Sequence, residues 1–159
     1  MKYVVDTCLI NKLVDGSVHT DELPKGGSFV ASHIQFDELN RTKNEKRRAE
    51  LLQKFCETID QVLPTESFVL GTSRLDEGKL GDGVSHDMIK RGLDSLNGGK
   101  TNNSEDALIA EVAMKNGYVL LTADFHLYQV TYRLGIGTIF WTTFRRTPST
   151  PLAQDVRKL

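Results

Sequence analysis

The sequence predicts an α/β fold, a three-layer α/β/α sandwich around a mostly parallel, roughly five-stranded central sheet. Three observations carry this. Short β-branched runs alternate with segments of helical periodicity, which implies right-handed crossovers and a parallel sheet covered on both faces. Two of those runs have an aspartate at or just past their C-terminal end, where parallel sheets place their ligands. With 159 residues and 39% hydrophobic content, the chain can bury one core and is too short for two ordinary domains. The expected organisation is a single domain over 1–145 and a polar, Pro-containing tail over 146–159.

Tyr3 to Val5 reads as a buried parallel strand ending at Asp6. Leu9, Ile10, Leu13 and Val14 form a helical face that Gly16 ends. Ser28 to Ala31 is a second strand, and Ser32-x-x-Gln35 has the pattern of a capping box opening a helix through Ile34, Phe36 and Leu39. The stretch from Arg41 to Arg48 has no apolar residue, so it is either an exposed helix turn or the joint between two helices. Leu51, Leu52, Phe55, Cys56 and Ile59 resume an amphipathic helix, with Pro64 as its far boundary.

Ser67 to Leu70 reads as a third strand. The Gly-rich segment after it, through Gly78, Gly81 and Gly83, has no clear assignment. Ser85 to Leu96 is a short helix closed by Asn97-Gly98-Gly99, and Ser104 is an N-cap for a helix over Glu105 to Asn116 that Gly117 terminates. Tyr118 to Thr122 is the strongest strand, with Asp124 just past its end. A helix from His126 to Leu134 and a strand from Thr138 to Trp141 complete the pattern.

Twenty Lys plus Arg against 21 Asp plus Glu give a formal charge of -1, so any nucleic-acid binding rests on local patches. Cys8 and Cys56 lack C-x-x-C spacing and fall in segments that read as buried, which argues against a disulfide framework or a zinc site. The apolar run at the N-terminus is stopped by Asp6, too soon for a signal peptide or a membrane span, and a cytoplasmic location is expected. Gly78-Lys79 lacks P-loop spacing, and no G-x-G-x-x-G follows a strand.

Four acids stand out by position. Asp6 and Asp124 each follow a strand, Asp106 lies in the first turn of a helix, and Glu38 sits in a helix among apolar neighbours. Each has a plain structural reading as a turn residue, a cap, a dipole partner or a solvated helix position. Their joint placement on one rim would raise one another's pKa values unless a cation neutralised them, so a metal is implied. An all-oxygen set favours Mg²⁺ or Mn²⁺, and His19, His33, His86 and His126 are scattered without H-E-x-x-H spacing.

Val4-Val5-Asp6-Thr7-Cys8 with Asn11, then Phe36-Asp37-Glu38-Leu39, Ser104-Glu105-Asp106-Ala107 and Leu120-Leu121-Thr122-Ala123-Asp124, resemble the successive acidic motifs of PIN-domain nucleases, a family that includes VapC-type toxin ribonucleases. The similarity spans residues 3 to 141. It implies a PIN-like fold and metal-dependent endoribonuclease activity. Asp6, Glu38, Asp106 and Asp124 would be the acidic constellation, with Thr7 and Thr122 as polar supports beside Asn11. The resemblance also implies a homodimer and, for a toxin, a cognate antitoxin.

Under that resemblance Asp6, Asp106 and Asp124 are the main metal ligands, directly or through water, and Glu38 completes the cage or orients the attacking water. RNA is gripped by Arg41, Lys43, Lys46, Arg47 and Arg48, with Arg145 and Arg146 as weaker candidates. The alternative for the basic run is a solvated helix face, since Glu45 and Glu50 dilute it and no aromatic residue is interleaved for base stacking. The chain departs from short toxins over Arg74 to Lys100, where Asp82 and Asp87 are either further acids of the site or, as the simpler reading, solvated loop residues.

Two other functions are compatible with the same fold: an RNA-processing nuclease without a toxin role, and a catalytically silent binding module in which the acids are only caps and turns. A phosphoacceptor receiver domain would need a second acid beside Asp6 and a Lys after a late strand, and the chain supplies neither.

Overall fold

Strands β1 (Lys2–Val5), β2 (Ser28–Ser32), β3 (Gln61–Leu63), β4 (Val119–Thr122) and β5 (Thr138–Phe140) form one sheet in a computed structural model that describes residues 1–141. Their order is β3-β2-β1-β4-β5, and every pairing is parallel. The order reverses between β1 and β4, where Val5 pairs with Leu121. Helices α1 (Thr7–Val14), α2 (His33–Asn40), α3 (Glu45–Thr58), α4 (Val84–Asn97), α5 (Asn103–Asn116) and α6 (Phe125–Arg133) carry the crossovers. The expected tail, with Arg145 and Arg146, lies outside the described residues.

Side chains of successive strand residues point to opposite faces, so each central strand feeds two cores. Val4, Val30 and Leu120 join Ile89, Leu93, Leu108, Ile109 and Leu127 on the α4, α5 and α6 side. Their neighbours Val5, Ala31 and Leu121 join Leu9, Ile10, Leu13, Leu51 and Phe55 on the α1 and α3 side. This is the three-layer sandwich that the alternating pattern predicts. Helix α5 is apolar nearly all round because it lies deepest, with Ala107, Ala110 and Ala113 allowing close approach to the sheet.

The third strand differs from the expectation. It is Gln61–Leu63, and Ser67 to Leu70 runs into a turn in which Val69 carbonyl oxygen accepts from the Thr72 and Ser73 backbone N–H groups. Gln61 and Val62 are exposed at the sheet edge, so the strand lacks the buried alternation that marks a strand in sequence. Ser67 is buried for another reason: its hydroxyl donates to Glu111 Oε1 at 2.9 Å.

Smaller boundaries also move. Helix α5 begins at Asn103 rather than after a Ser104 cap, because buried Asn103 donates to both Asp94 and Asn97 of α4, while Ser104 pairs with His86 at 3.1 Å. The charged stretch is a joint: α2 ends at Asn40, and Asn44 caps α3 by accepting from Arg47 N. Cys56, expected to be buried, is exposed on the outer face of α3. Among the described residues no helix is long and apolar enough to cross a membrane.

Candidate metal and nucleic-acid site

The backbone after β1 is locked to its neighbour, since Asp6 N donates to Leu121 O at 3.0 Å. Asp6 occupies the N-cap position of α1, yet its side chain makes no capping bond. It is 4% exposed, and its Oδ2 instead accepts from Thr122 Oγ1 at 2.6 Å and from Cys8 Sγ at 2.8 Å. Thr122 Oγ1 accepts in turn from Asp124 N at 2.9 Å, and Cys8 Sγ from Ala123 N at 3.1 Å. One hydroxyl and one thiol therefore clasp the ends of β1 and β4 together.

Glu38 reaches this end of the sheet because α2 is pinned to it. Ser32 and Gln35 form the capping box, and Gln35 Nε2 donates to Val5 O at 3.1 Å, one residue before Asp6. Asp106 is brought in by the first turn of α5, which Asn103 anchors to α4. Asp124 caps α6, its Oδ1 accepting from Leu127 N at 3.0 Å, so its plain structural role is real.

The acids act on one another. The Asp106 carboxyl is pushed up to about 8 by burial first, then by the charges of Asp6, Glu38, Asp124 and Glu105. Burial also raises Asp6, against the hydrogen bonds from Cys8 and Thr122, and Asp124 adds to the rise. Glu38 is raised by burial too, and Thr7 opposes this. Arg41, the nearby cation, is committed to Glu105 at 2.6 Å.

Among the described residues no group of three or more His, Cys, Asp or Glu side chains is arranged to hold a metal ion by itself. Asp6, Glu38 and Asp124 nonetheless all bear on Asp106 at this rim, where the sequence expects Asp6, Asp106 and Asp124 as metal ligands and Glu38 as a further ligand or an orienter of water. The donor set still suits a hard divalent cation. It is all oxygen, a cation would relieve the raised Asp106, and the Thr7 hydroxyl is buried without a well-formed partner. Mg²⁺ commonly takes only one or two carboxylates and keeps water for the rest.

Asn11 donates to Thr7 O at 3.1 Å, and its side chain and carbonyl both face Arg47. Arg47 is bound to Asp15 at 2.7 Å across the α1–α3 joint and Arg48 to Thr42 O at 3.3 Å in the link between α2 and α3, while Lys43 and Lys46 are exposed. Asp82 accepts from Val84 N at 3.1 Å, Asp87 lies beside His86, and both are exposed, as the solvated reading expects. Sequence reasoning missed Cys8 and Glu105. Each flanks a chosen acid, but nothing in the sequence reveals a thiol aimed back at residue i−2 or a glutamate paired across to α2.

No protein-family model matches the sequence, and no curated protein matches it. Solved structures do. VapBC-1 from nontypeable Haemophilus influenzae matches with a TM-score of 0.55 at 18% identity, over 89% of this chain and 98% of that one. VapBC2 from Rickettsia felis, solved bound to a DNA fragment from the promoter, matches at 0.53 and 14%, over 89% and 100%. A domain of a functionally unknown protein from Methanocaldococcus jannaschii matches at 0.50 and 21%, over 95% and 98%. At these identities the likeness speaks to architecture, and on it the chain has the PIN-like α/β fold of the VapBC structures.

Proposed function

We propose that this protein is a divalent-metal-dependent endoribonuclease that hydrolyses RNA phosphodiester bonds, and that it serves as the toxin of a toxin–antitoxin pair. The observation that carries the reading is the electrostatic meeting of Asp6, Glu38, Asp106 and Asp124, from four separate elements, where the strand order reverses. The likeness to VapBC structures supports the toxin role and a cognate antitoxin as partner.

Mg²⁺ or Mn²⁺ bound by these acids would polarise a phosphodiester oxygen and lower the pKa of a coordinated water. Asp6 presents a preorganised carboxylate, because Thr122 and Cys8 hold one of its oxygens. Asp106 carries a proton at neutral pH when no cation is near and gives it up when one arrives. Glu38, whose charge bears on both Asp6 and Asp106, is suited to completing the cation's ligands or orienting the attacking water. Lys43 and Lys46, exposed after Glu38, offer contacts to substrate phosphates.

The test is cleavage of mixed structured and single-stranded RNAs in Mg²⁺, Mn²⁺ or EDTA by wild type and by Asp6→Asn and Asp106→Asn variants of verified fold. Metal-dependent cleavage lost in both variants supports the nuclease. No cleavage by wild type, with no divalent ion detected by titration, refutes it. Induced expression separates the toxin role: growth arrest by wild type and not by Asp106→Asn is expected, and normal growth with wild type favours an RNA-processing enzyme.

A further inference from the structure

Four aromatic rings form a row on the outer surface beside the acidic rim. Phe125 and Phe140 have centroids 5.7 Å apart, Phe140 and Tyr128 lie near-parallel at 5.1 Å, and Tyr128 and Tyr132 are 5.9 Å apart. Phe125, Tyr128 and Tyr132 share one side of α6 by their i, i+3, i+7 spacing, and Phe140 closes β5. The ends of the row are open: Phe125 is 53% exposed and Tyr132 is 65% exposed. Tyr128 and Phe140 are half-buried where α6 packs on β5, and the rings at either end reach solvent.

Their location specifies a role for them. Phe125 directly follows Asp124, and Phe140 pairs in register with Thr122, whose hydroxyl holds Asp6. The row therefore begins at the acidic rim and runs outward along α6, about 10 Å from Phe125 to Tyr132 at the helical rise. Exposed Arg133 directly follows Tyr132 in sequence. We infer that Phe125, Phe140, Tyr128 and Tyr132 form a stacking track for the bases of single-stranded RNA entering or leaving the acidic rim. This rests on the ribonuclease reading and adds the residues that would hold the bases.

Every base offers a π-face, so such a track tolerates sequence and rejects paired bases, whose faces are already stacked. Exposed aromatics also mark protein interfaces. Nucleic acid is favoured here because the row starts beside the acids proposed to act on phosphate.

The experiment is fluorescence anisotropy of a labelled single-stranded RNA and a duplex of the same sequence, titrated with full-length protein in EDTA so that the RNA stays intact. Phe125→Ala and Tyr132→Ala should each weaken single-strand binding about tenfold, Phe125→Trp should retain it, and duplex affinity should not move. Wild-type affinity in the alanine variants overturns the inference, as does no measurable single-strand binding by wild type. Sedimentation that shows a wild-type dimer dissociating in the variants, with RNA affinity unchanged, overturns it in favour of an interface between copies. Because binding is read without metal, ring-dependent binding by a protein that never cleaves would sink the nuclease reading alone. Cleavage that survives both alanine variants, with binding intact, would sink the track alone.

Discussion

The Thr122 hydroxyl sits between two acids, donating to Asp6 Oδ2 at 2.6 Å and accepting from Asp124 N at 2.9 Å. Thr122→Val keeps the shape and removes both bonds in a fully buried setting. It should cost about 1–3 kcal/mol in urea denaturation, whereas Thr122→Ser, which keeps the hydroxyl, should lose clearly less. Equal midpoints for Val and wild type would show that the clasp contributes nothing.

Without metal, stability should fall as pH rises. The Asp106 carboxyl is pushed from 3.8 up to about 8 in the fold, so between those values the folded state holds a proton that the unfolded state has lost. By linkage, the unfolding free energy declines with pH across roughly 4 to 8 and levels above it. Raised Asp6 and Glu38 act in the same direction. In EDTA, Asp106→Asn should flatten that decline and raise Tm near pH 8 by about 2–4 °C, a gain on the order of 1 kcal/mol. Thermal melts across pH test the slope; a wild-type curve that rises through this window contradicts it.

Mg²⁺ or Mn²⁺ should reverse that penalty. At a hundredfold excess over Kd a bound ion stabilises by about 2.7 kcal/mol, visible as a concentration-dependent rise in Tm. The rise should vanish in Asp6→Asn and Asp106→Asn. Identical metal responses in wild type and both variants would place the ion elsewhere.

The basic stretch should divide by role. Arg47→Ala removes bonds to Asp15 and Asn11 across the α1–α3 joint and should lower stability by about 1 kcal/mol. Lys43→Ala and Lys46→Ala should leave stability within about 0.5 kcal/mol, yet each should reduce the salt dependence of RNA binding by about one unit of log–log slope. An unchanged slope in both lysine variants would make Lys43 and Lys46 a merely solvated surface.

Gly92, inside α4, should not tolerate alanine. A Cβ there would meet Val130 Cγ1 at 2.9 Å, and Val130 is buried in the α6 seam. Gly92→Ala should therefore destabilise by about 1–3 kcal/mol despite alanine's better helix propensity. A stabilised Gly92→Ala variant would show that α4 and α6 can separate freely.

What the sequence made legible follows burial. Val4-Val5, Val30-Ala31 and Leu120-Leu121 announce strands because they are hidden on both faces, and Ser32 with Gln35 announces a helix start because capping chemistry is local. Gln61–Leu63 gave no such signal, being an edge strand whose Gln61 and Val62 are exposed and of which only Leu63 packs against the core. At the site, the acids could be picked out because strand ends and first turns are positions of known chemistry. The Cys8 thiol, the Glu105–Arg41 pair and the aromatic row depend on distances between segments, to which residue spacing is blind.

The pairing of β1 with β4 also governs when the protein becomes competent. Thr122 is 116 residues from the aspartate it holds, so a chain emerging from the ribosome carries Asp6 long before the residue that holds it. Contacts of such long separation close slowly. Until β4 arrives, β1 has β2 beside it and an unfilled edge on its other side. A chain stalled or cut before β4 therefore cannot complete the acidic rim.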